Sequence, residues 1–378
     1  MRIGIDARLL AAQLTGIGRY TYEMSRELVA QGGDAEFRLY MPDPPQLGEW
    51  HQAHVQVRAS RMPGRVGRML WAQSLLPWQA TRDRLDVFWG ATHRLPRYLP
   101  PRIACVVTIH DLVWKHAGET MRPLSRWLDS TLMPEAIRLA DRVVAVSRST
   151  ADDIEAEFPA ARGKVRVIPL GVAELAPPGE RGMLAELGVT QPYFLFVGTL
   201  EPRKNLRNLL SAWARVPAQV RAAHQLVIAG GRGWGDVDLQ GLLQSLGLTE
   251  RVVLTGYVTD GQLATLYTHA CFLAMPSFYE GFGLPLVEAM ARGIPVLTST
   301  TSSMPEVAGD AGVLVDPANP QEIAAGLTAL LTDAALHATL AGRARSSAAR
   351  FSWQRAAAEM RQVFAEALDA RQSQRISP

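Results

Sequence analysis

Glu280-Gly281-Phe282-Gly283-Leu284-Pro285-Leu286-Val287-Glu288 is the stretch whose reading decides the fold of this chain. Two carboxylates bracket seven residues that hold a Gly-Phe-Gly turn and a proline. Just upstream, Ala270-Cys-Phe-Leu-Ala-Met275 reads as a buried strand; just downstream, Val287-Glu-Ala-Met-Ala-Arg292 reads as a helix stopped by Gly293. The first acid therefore falls at the C-terminal end of a strand, and the second lies inside the helix that follows. Open parallel sheets bind their ligands at that end. Glycines let backbone N–H groups come close to a ligand, at a helix N-terminus that favours negative charge. A carboxylate accepts hydroxyl hydrogen bonds, so two acids here suit a polyhydroxylated ligand.

Outward from this motif, short β-rich runs alternate with helical patterns. Strands are expected at Arg2–Asp6, Ala35–Tyr40, Val87–Trp89, Ile103–Ile109, Arg142–Val146, Val165–Pro169, Tyr193–Val197, Gln225–Ala229, Val252–Thr255, Phe272–Met275, Pro295–Thr298 and Gly312–Val315. Most are solid apolar blocks rather than alternating ones, as in parallel strands buried on both faces. Glu174-Leu-Ala-Pro-Pro-Gly-Glu180 has linker composition and divides the chain into two α/β units. A length of 378 residues fits two domains. The expected boundaries are 1–173 and 181–353, with a last helical segment from Trp353 to Ala370 after the second unit has closed.

The net charge is +3, but it is uneven: Arg58, Arg61, Arg65, Arg68, Arg82, Arg84, Arg94, Arg97 and Arg102 face only Asp83 and Asp86 in that span. The arginines up to Arg68 run into Met69-Leu-Trp-Ala-Gln-Ser-Leu-Leu-Pro-Trp78. Such a segment suits an anionic membrane surface or an ordinary amphipathic helix packed on its own domain, and both readings stay open. Cys105 and Cys271 each sit in an apolar run, as inert core thiols do in a reducing compartment. Asp6 and Arg8 interrupt the N-terminus where a signal peptide needs an apolar core, and no apolar run approaches the roughly 18 residues of a span. A cytoplasmic location, at most at the inner face of the membrane, is expected.

Three further strand ends carry chemistry. Thr15-Gly-Ile-Gly-Arg-Tyr20 follows the first strand and precedes a helical pattern from Tyr22 to Gln31; Gly16 and Gly18 there can present N–H groups to a phosphate. Thr21 stands where a dinucleotide fingerprint needs its third glycine. Thr108-Ile-His-Asp-Leu112 puts His110 and Asp111 at the end of a strong strand. Val197-Gly-Thr-Leu-Glu-Pro-Arg-Lys-Asn205 puts Arg203 and Lys204 at the start of a helix, where cations concentrate potential on a diphosphate. Asp236-Val-Asp238 spells a metal-binding triplet, but it lies in a loop and is discounted.

Taken in order, these motifs resemble the retaining glycosyltransferases of the GT-B fold, family 4. The acidic Glu-x7-Glu signature is the most specific of them. The resemblance implies an α/β GT-B fold: two Rossmann-like domains whose parallel sheets face a central cleft, with helix 354–378 crossing back to the first domain. It implies His110, Lys204 and Glu280 as catalytic residues, His110 contacting the transferred sugar. It assigns Gly16, Gly18, Arg203, Lys204, Gly281, Phe282, Gly283 and Glu288 to the nucleotide-sugar donor, Glu280 to the sugar hydroxyls and Glu288 to the ribose. Thr199 departs from the pattern, since many members carry arginine there. Ile3-Gly-Ile-Asp-Ala-Arg8 and Phe88-Trp-Gly-Ala-Thr-His93 are similar to the branch that includes O-antigen mannosyltransferases.

The function implied is transfer of a hexose, mannose from GDP-mannose, with retention of configuration onto a glycan or lipid-linked acceptor in cell-surface polysaccharide synthesis. It is implied to need no metal and no cofactor beyond the donor substrate. The alternatives are another UDP- or GDP-linked donor and a non-catalytic GT-B nucleotide-sugar-binding protein. An epimerase would lack Glu-x7-Glu, and a phosphorylase would need a pyridoxal-phosphate lysine motif that is not found.

Overall fold

The computed structural model describes the chain except residues 12–15, 46–49, 51, 63, 173–175, 181, 232, 234–237 and 377–378; for 65, 66, 69, 375 and 376 only the backbone is described. Thr15, Glu174, Leu175, Asp236 and Val237, all in motifs quoted above, lie outside the described residues. The chain divides into two compact units: Met1–Leu112, Pro123–Gly171 and Ser352–Pro378 form the first, and Val113–Arg122 with Val172–Phe351 form the second.

The first unit is built on seven parallel strands, β1 (Arg2–Asp6), β2 (Glu36–Met41), β3 (Val55–Ala59), β4 (Val87–Gly90), β5 (Ala104–Ile109), β6 (Arg142–Ala145) and β7 (Val165–Val167), in the order β3-β2-β1-β4-β5-β6-β7. The second has six, β8 (Tyr193–Val197), β9 (Gln225–Ala229), β10 (Val252–Gly256), β11 (Leu273–Met275), β12 (Val296–Ser299) and β13 (Gly312–Val315), in the order β10-β9-β8-β11-β12-β13. Every pairing is parallel. Both sheets reverse direction beside their first strand, between β1 and β4 and between β8 and β11. In doubly wound sheets such switch points are where ligands bind.

The core strands are those that the apolar blocks indicate: β5 is buried at all six positions and β9 at all five. β3 is the strand the pattern does not reveal. It is an edge strand, half exposed, with Gln56 and Arg58 breaking its apolar run. Two further features depart from the expectation. The helix after β1 starts at Gly16 rather than Tyr22, so Gly16 and Gly18 occupy its first turn instead of a preceding loop. First-turn N–H groups have no partner within the helix, so their donors remain available there. Residues 113–122 fall in the middle of the expected first domain, yet they belong to the second unit. There Val113, Ala117 and Met121 pack on Tyr279, and His116 stacks on the Tyr279 ring at 5.3 Å. The last helix, Trp353–Ile376, packs with the first unit, where Trp353 is buried.

Candidate active site

In the second unit, the loops that leave β8 and β11 flank the switch point. After β8 the chain makes a short 3-10 turn, Pro202–Lys204, and Asn205 takes the left-handed conformation (φ 61°) before the helix Leu206–Arg215. The Asn205 side chain fixes that turn by donating to Pro276 O (2.9 Å) and Pro317 O (2.6 Å). Gly198, at φ 143°, ends β8, and a Cβ there would meet the Lys204 side chain at 2.8 Å. The missing side chain is what lets Lys204 lie back over the strand end.

After β11, Glu280 meets both cations. Its Oε1 accepts from Lys204 Nζ at 2.7 Å and from Ser277 Oγ at 3.2 Å; its Oε2 accepts from Arg203 Nη1 at 2.5 Å. Arg203 Nε donates to Glu201 at 2.9 Å. Lys204 and Glu280 are both buried. Burial pushes the Glu280 carboxyl up, but attraction to Arg203 and Lys204 outweighs it and holds the group at about 2, below its ordinary 4.5. Its folded value is the depressed one, so its stabilisation is complete above about 4.5 and lost as pH falls toward 2. The shift corresponds to on the order of 3 kcal/mol. Glu280 is therefore ionised across the working range.

The turn itself is held by two serines of the loop after β12. Ser302, at φ 51°, accepts from Glu280 N (3.1 Å), and buried Ser303 donates to Glu280 O (2.9 Å) and Phe282 O (3.1 Å). The run Thr300-Thr-Ser-Ser303 is the sequence signal for them. Gly283 is left-handed (φ 100°), and a Cβ there would strike Met304 at 2.6 Å. The Phe282 ring packs edge-on against Phe351 at 5.3 Å, so what it can offer a ligand is backbone. Glu288 lies in the helix Leu284–Ala291, buried, and accepts from Tyr267 OH at 2.9 Å. Lys204, Arg203 and Glu280 thus form one cluster, and Glu288 sits apart with Tyr267. A cavity of about 920 Å³ opens at the C-terminal ends of β8, β9 and β10, lined by Glu201, Asn205, Gly230, Gly256 and Phe278 among others. It adjoins the cluster through neighbours in sequence, but Lys204, Glu280 and Glu288 are not in its walls. Asp238 caps the helix Leu239–Ser245 by accepting from Gly241 N.

In the first unit, His110 follows β5, buried. Its Nε2 lies 2.9 Å from Ala91 O. A carbonyl only accepts, so Nε2 carries the proton and Nδ1 is the acceptor. His93, left-handed at φ 64°, accepts the His110 backbone N–H on its Nε2 at 2.9 Å, and its own N–H donates to Thr108 O. Tyr20 packs edge-on to the His110 ring at 4.6 Å. Burial lowers both histidines from 6.5 to about 3; for His110 the neighbouring His93 adds to the shift. Both rings are neutral near pH 7. At the end of β1, fully buried Asp6 accepts from the Arg8 guanidinium, which lies 5.3 Å from the Trp71 ring centroid.

The histidine pair sets a pH dependence. Neutral-ring stabilisation is complete above the unfolded value of about 6.5 and lost as pH falls toward 3. Amide protection around residues 91–110 is expected to drop as pH falls from about 6 to 4. His93→Asn, which tolerates the left-handed backbone, should flatten part of that drop. Hydrogen exchange read across pH measures it; protection that is flat in the wild type contradicts the assignment.

Two family descriptions match the chain: "Glycosyltransferase Family 4" over residues 14–174 and "Glycosyl transferases group 1" over residues 185–347. The O-antigen chain mannosyltransferase B of Escherichia coli is 32% identical, covering 94% of this chain and 97% of that protein. A D-inositol 3-phosphate glycosyltransferase of Xylanimonas cellulosilytica is 34% identical, covering 94% of this chain and 93% of its own. Among solved structures, a sucrose-phosphate synthase from Thermosynechococcus elongatus superposes with a TM-score of 0.77 at 22% identity, covering 98% of this chain and 99% of that one. WaaG, a glycosyltransferase involved in lipopolysaccharide biosynthesis, does so with 0.74 at 18%, covering 96% and 99%. The structural likenesses speak for the fold.

Proposed function

This chain belongs to glycosyltransferase family 4, a hexosyltransferase of the GT-B fold, and on that premise we propose that it moves mannose from GDP-mannose, with retention, onto a growing glycan on a lipid carrier. The observation that carries the donor site is the Arg203–Glu280–Lys204 cluster at the switch point of the second sheet. The choice of mannose rests on the relative that matches along almost the whole of both chains.

Lys204 and Arg203 take the diphosphate. Glu280 and the backbone of Gly281 to Gly283 take the sugar hydroxyls, and Glu288 the ribose. The acceptor oxygen attacks the anomeric carbon on the face from which the diphosphate leaves. The new glycosidic bond forms as the bond to the β-phosphate oxygen breaks, and the acceptor proton passes to that departing oxygen. Charge gathers on the leaving group, and fixed cations at that point stabilise the transition state more than the ground state. In this reading the two side-chain cations, not a metal ion, neutralise the diphosphate. His110, being neutral, serves as a hydroxyl acceptor through Nδ1 and not as an acid.

Thermal shift with GDP, UDP and ADP in excess EDTA tests the donor assignment. The largest stabilisation is expected from GDP, with EDTA making no difference. A requirement for Mg²⁺ or Mn²⁺ would overturn the metal-free reading. The inositol-phosphate relative keeps a second reading open, a different sugar nucleotide with a small phosphorylated acceptor. Preference for UDP or ADP would favour it.

A membrane-bound acceptor is the other part of the proposal. Among the described residues no helix is long and apolar enough to cross a membrane by itself. The arginine quartet is not a free basic face: Arg58 pairs with Asp83 (2.8 Å) and Arg68 with Asp43 (3.0 Å), while the Arg65 side chain is outside the described residues. Aromatic side chains are exposed instead. Trp78 is 56% accessible, with Arg82 over its ring, Trp127 is 61% accessible, and Leu70, Tyr98 and Leu124 are also exposed. Arg97 joins these segments, donating its backbone N–H to Gln73 Oε1 at 3.3 Å and pairing with Glu135. Flotation with anionic liposomes at low salt is expected for the wild type, weakening as salt screens the charges. Trp78→Ser with Trp127→Ser should abolish it. Failure of the wild type to float would point to a soluble acceptor.

A further inference from the structure

The cations at the switch point already have a carboxylate partner within the chain. Both Glu280 oxygens are used, one by Lys204 and one by Arg203, and Ser277 adds a third bond. A carboxylate held between an ammonium and a guanidinium presents two oxygens much as one edge of a phosphate does. The arrangement is buried, so water does not replace these partners cheaply. The proposed function gives the same two cations to the diphosphate and the same carboxylate to the sugar. Glu280 cannot satisfy its present bonds and those new ones with the same lone pairs.

We propose that Glu280 is a built-in counter-anion: it holds Lys204 and Arg203 in place while the donor site is empty, and yields them to the incoming diphosphate. The exchange frees its oxygens for the sugar only once the diphosphate is seated. Affinity for the diphosphate is given up to keep the cations ordered, and sugar engagement is made to depend on the phosphates. Glu201 suits the same device, because it keeps hold of Arg203 Nε at 2.9 Å while Nη1 changes partner. This inference rests on the donor site assigned above.

The test is calorimetry with GDP and guanosine on the wild type, Glu280→Gln, Lys204→Met and the double variant. If Glu280 competes with the diphosphate, Glu280→Gln should bind GDP about tenfold more tightly, a factor equivalent to one charge-assisted bond no longer exchanged. Guanosine affinity should not change, and transfer should be lost. In the Lys204→Met background, Glu280→Gln should bring a smaller further gain, because one of the two competed partners is gone. An equal or weaker GDP affinity in Glu280→Gln overturns the exchange and leaves Glu280 as a plain organiser of the cations. So does a gain that persists undiminished in the Lys204→Met background, which would be a general field effect. Should Lys204→Met not fold, Arg203→Gln with Glu280→Gln gives the same cycle through the other cation. If the wild type binds none of GDP, UDP or ADP, the donor-site assignment itself fails.

Discussion

Lys204→Ala is expected to lower transfer from the sugar nucleotide by about 10²–10³-fold, the cost typical of removing one preorganised group that faces developing charge. The geometry argues for an effect of this size. The ammonium is buried, it is laid against the end of β8 by Gly198, and its partner Glu280 lies across the switch point of the sheet. In the proposed donor site, departure of a nucleoside diphosphate puts negative charge where that ammonium can reach, and burial strengthens the interaction. Removal also breaks a buried ion pair, which by itself costs about 3–5 kcal/mol of stability. The variant should therefore melt earlier yet keep its far-ultraviolet circular dichroism. Released nucleoside diphosphate, measured at saturating donor, gives kcat. A turnover near that of the wild type would remove Lys204 from the diphosphate site.

Glu288→Ala is expected to weaken GDP binding by about 10–100-fold, the loss of one or two hydroxyl hydrogen bonds to a charged acceptor. One carboxylate oxygen is tied to Tyr267 at 2.9 Å, which fixes the side chain within its helix. Calorimetry with GDP and with its 2′,3′-dideoxy analogue separates a ribose contact from a general weakening. The wild type should discriminate between the two nucleotides, and Glu288→Ala should not. Equal losses for both would mean that Glu288 supports the helix and does not touch the ribose.

The two sheets were legible because parallel strands buried on both faces leave unbroken apolar runs, as Ala104–Ile109 and Gln225–Ala229 do. Val55–Ala59 was not, since an edge strand tolerates Gln56 and Arg58 and loses that signature. The start of the helix at Gly16 was hidden for a related reason: two glycines in the first turn read as loop, although a glycine near a helix end costs little. Packing of residues 113–122 with the second unit depends on Tyr279, a contact far apart in the chain that carries no local pattern.

Within the site, strand-end position and residue type pointed to Lys204, Glu280 and Glu288 singly. That Arg203 and Lys204 both close on one carboxylate, 77 and 76 residues away, is a property of the strand order. The role of His93, and the bond from Glu280 N to Ser302, were not legible because they depend on left-handed backbones that place a hydrogen-bond acceptor, which residue identity alone does not announce. The arginine run is less basic than its composition suggests, because Asp43 and Asp83, one before the segment and one inside it, pair with two of its members.

The central claim is retaining mannosyl transfer from a metal-free donor site, and one measurement addresses it most directly. The protein is incubated in EDTA with GDP-mannose and a lipid-linked oligosaccharide acceptor, and the product is resolved by NMR at the new anomeric centre. The account predicts release of GDP together with an α-mannosyl linkage, matching the α configuration of the donor. A β linkage, or no transfer from GDP-mannose while a UDP- or ADP-linked hexose is consumed, would contradict it.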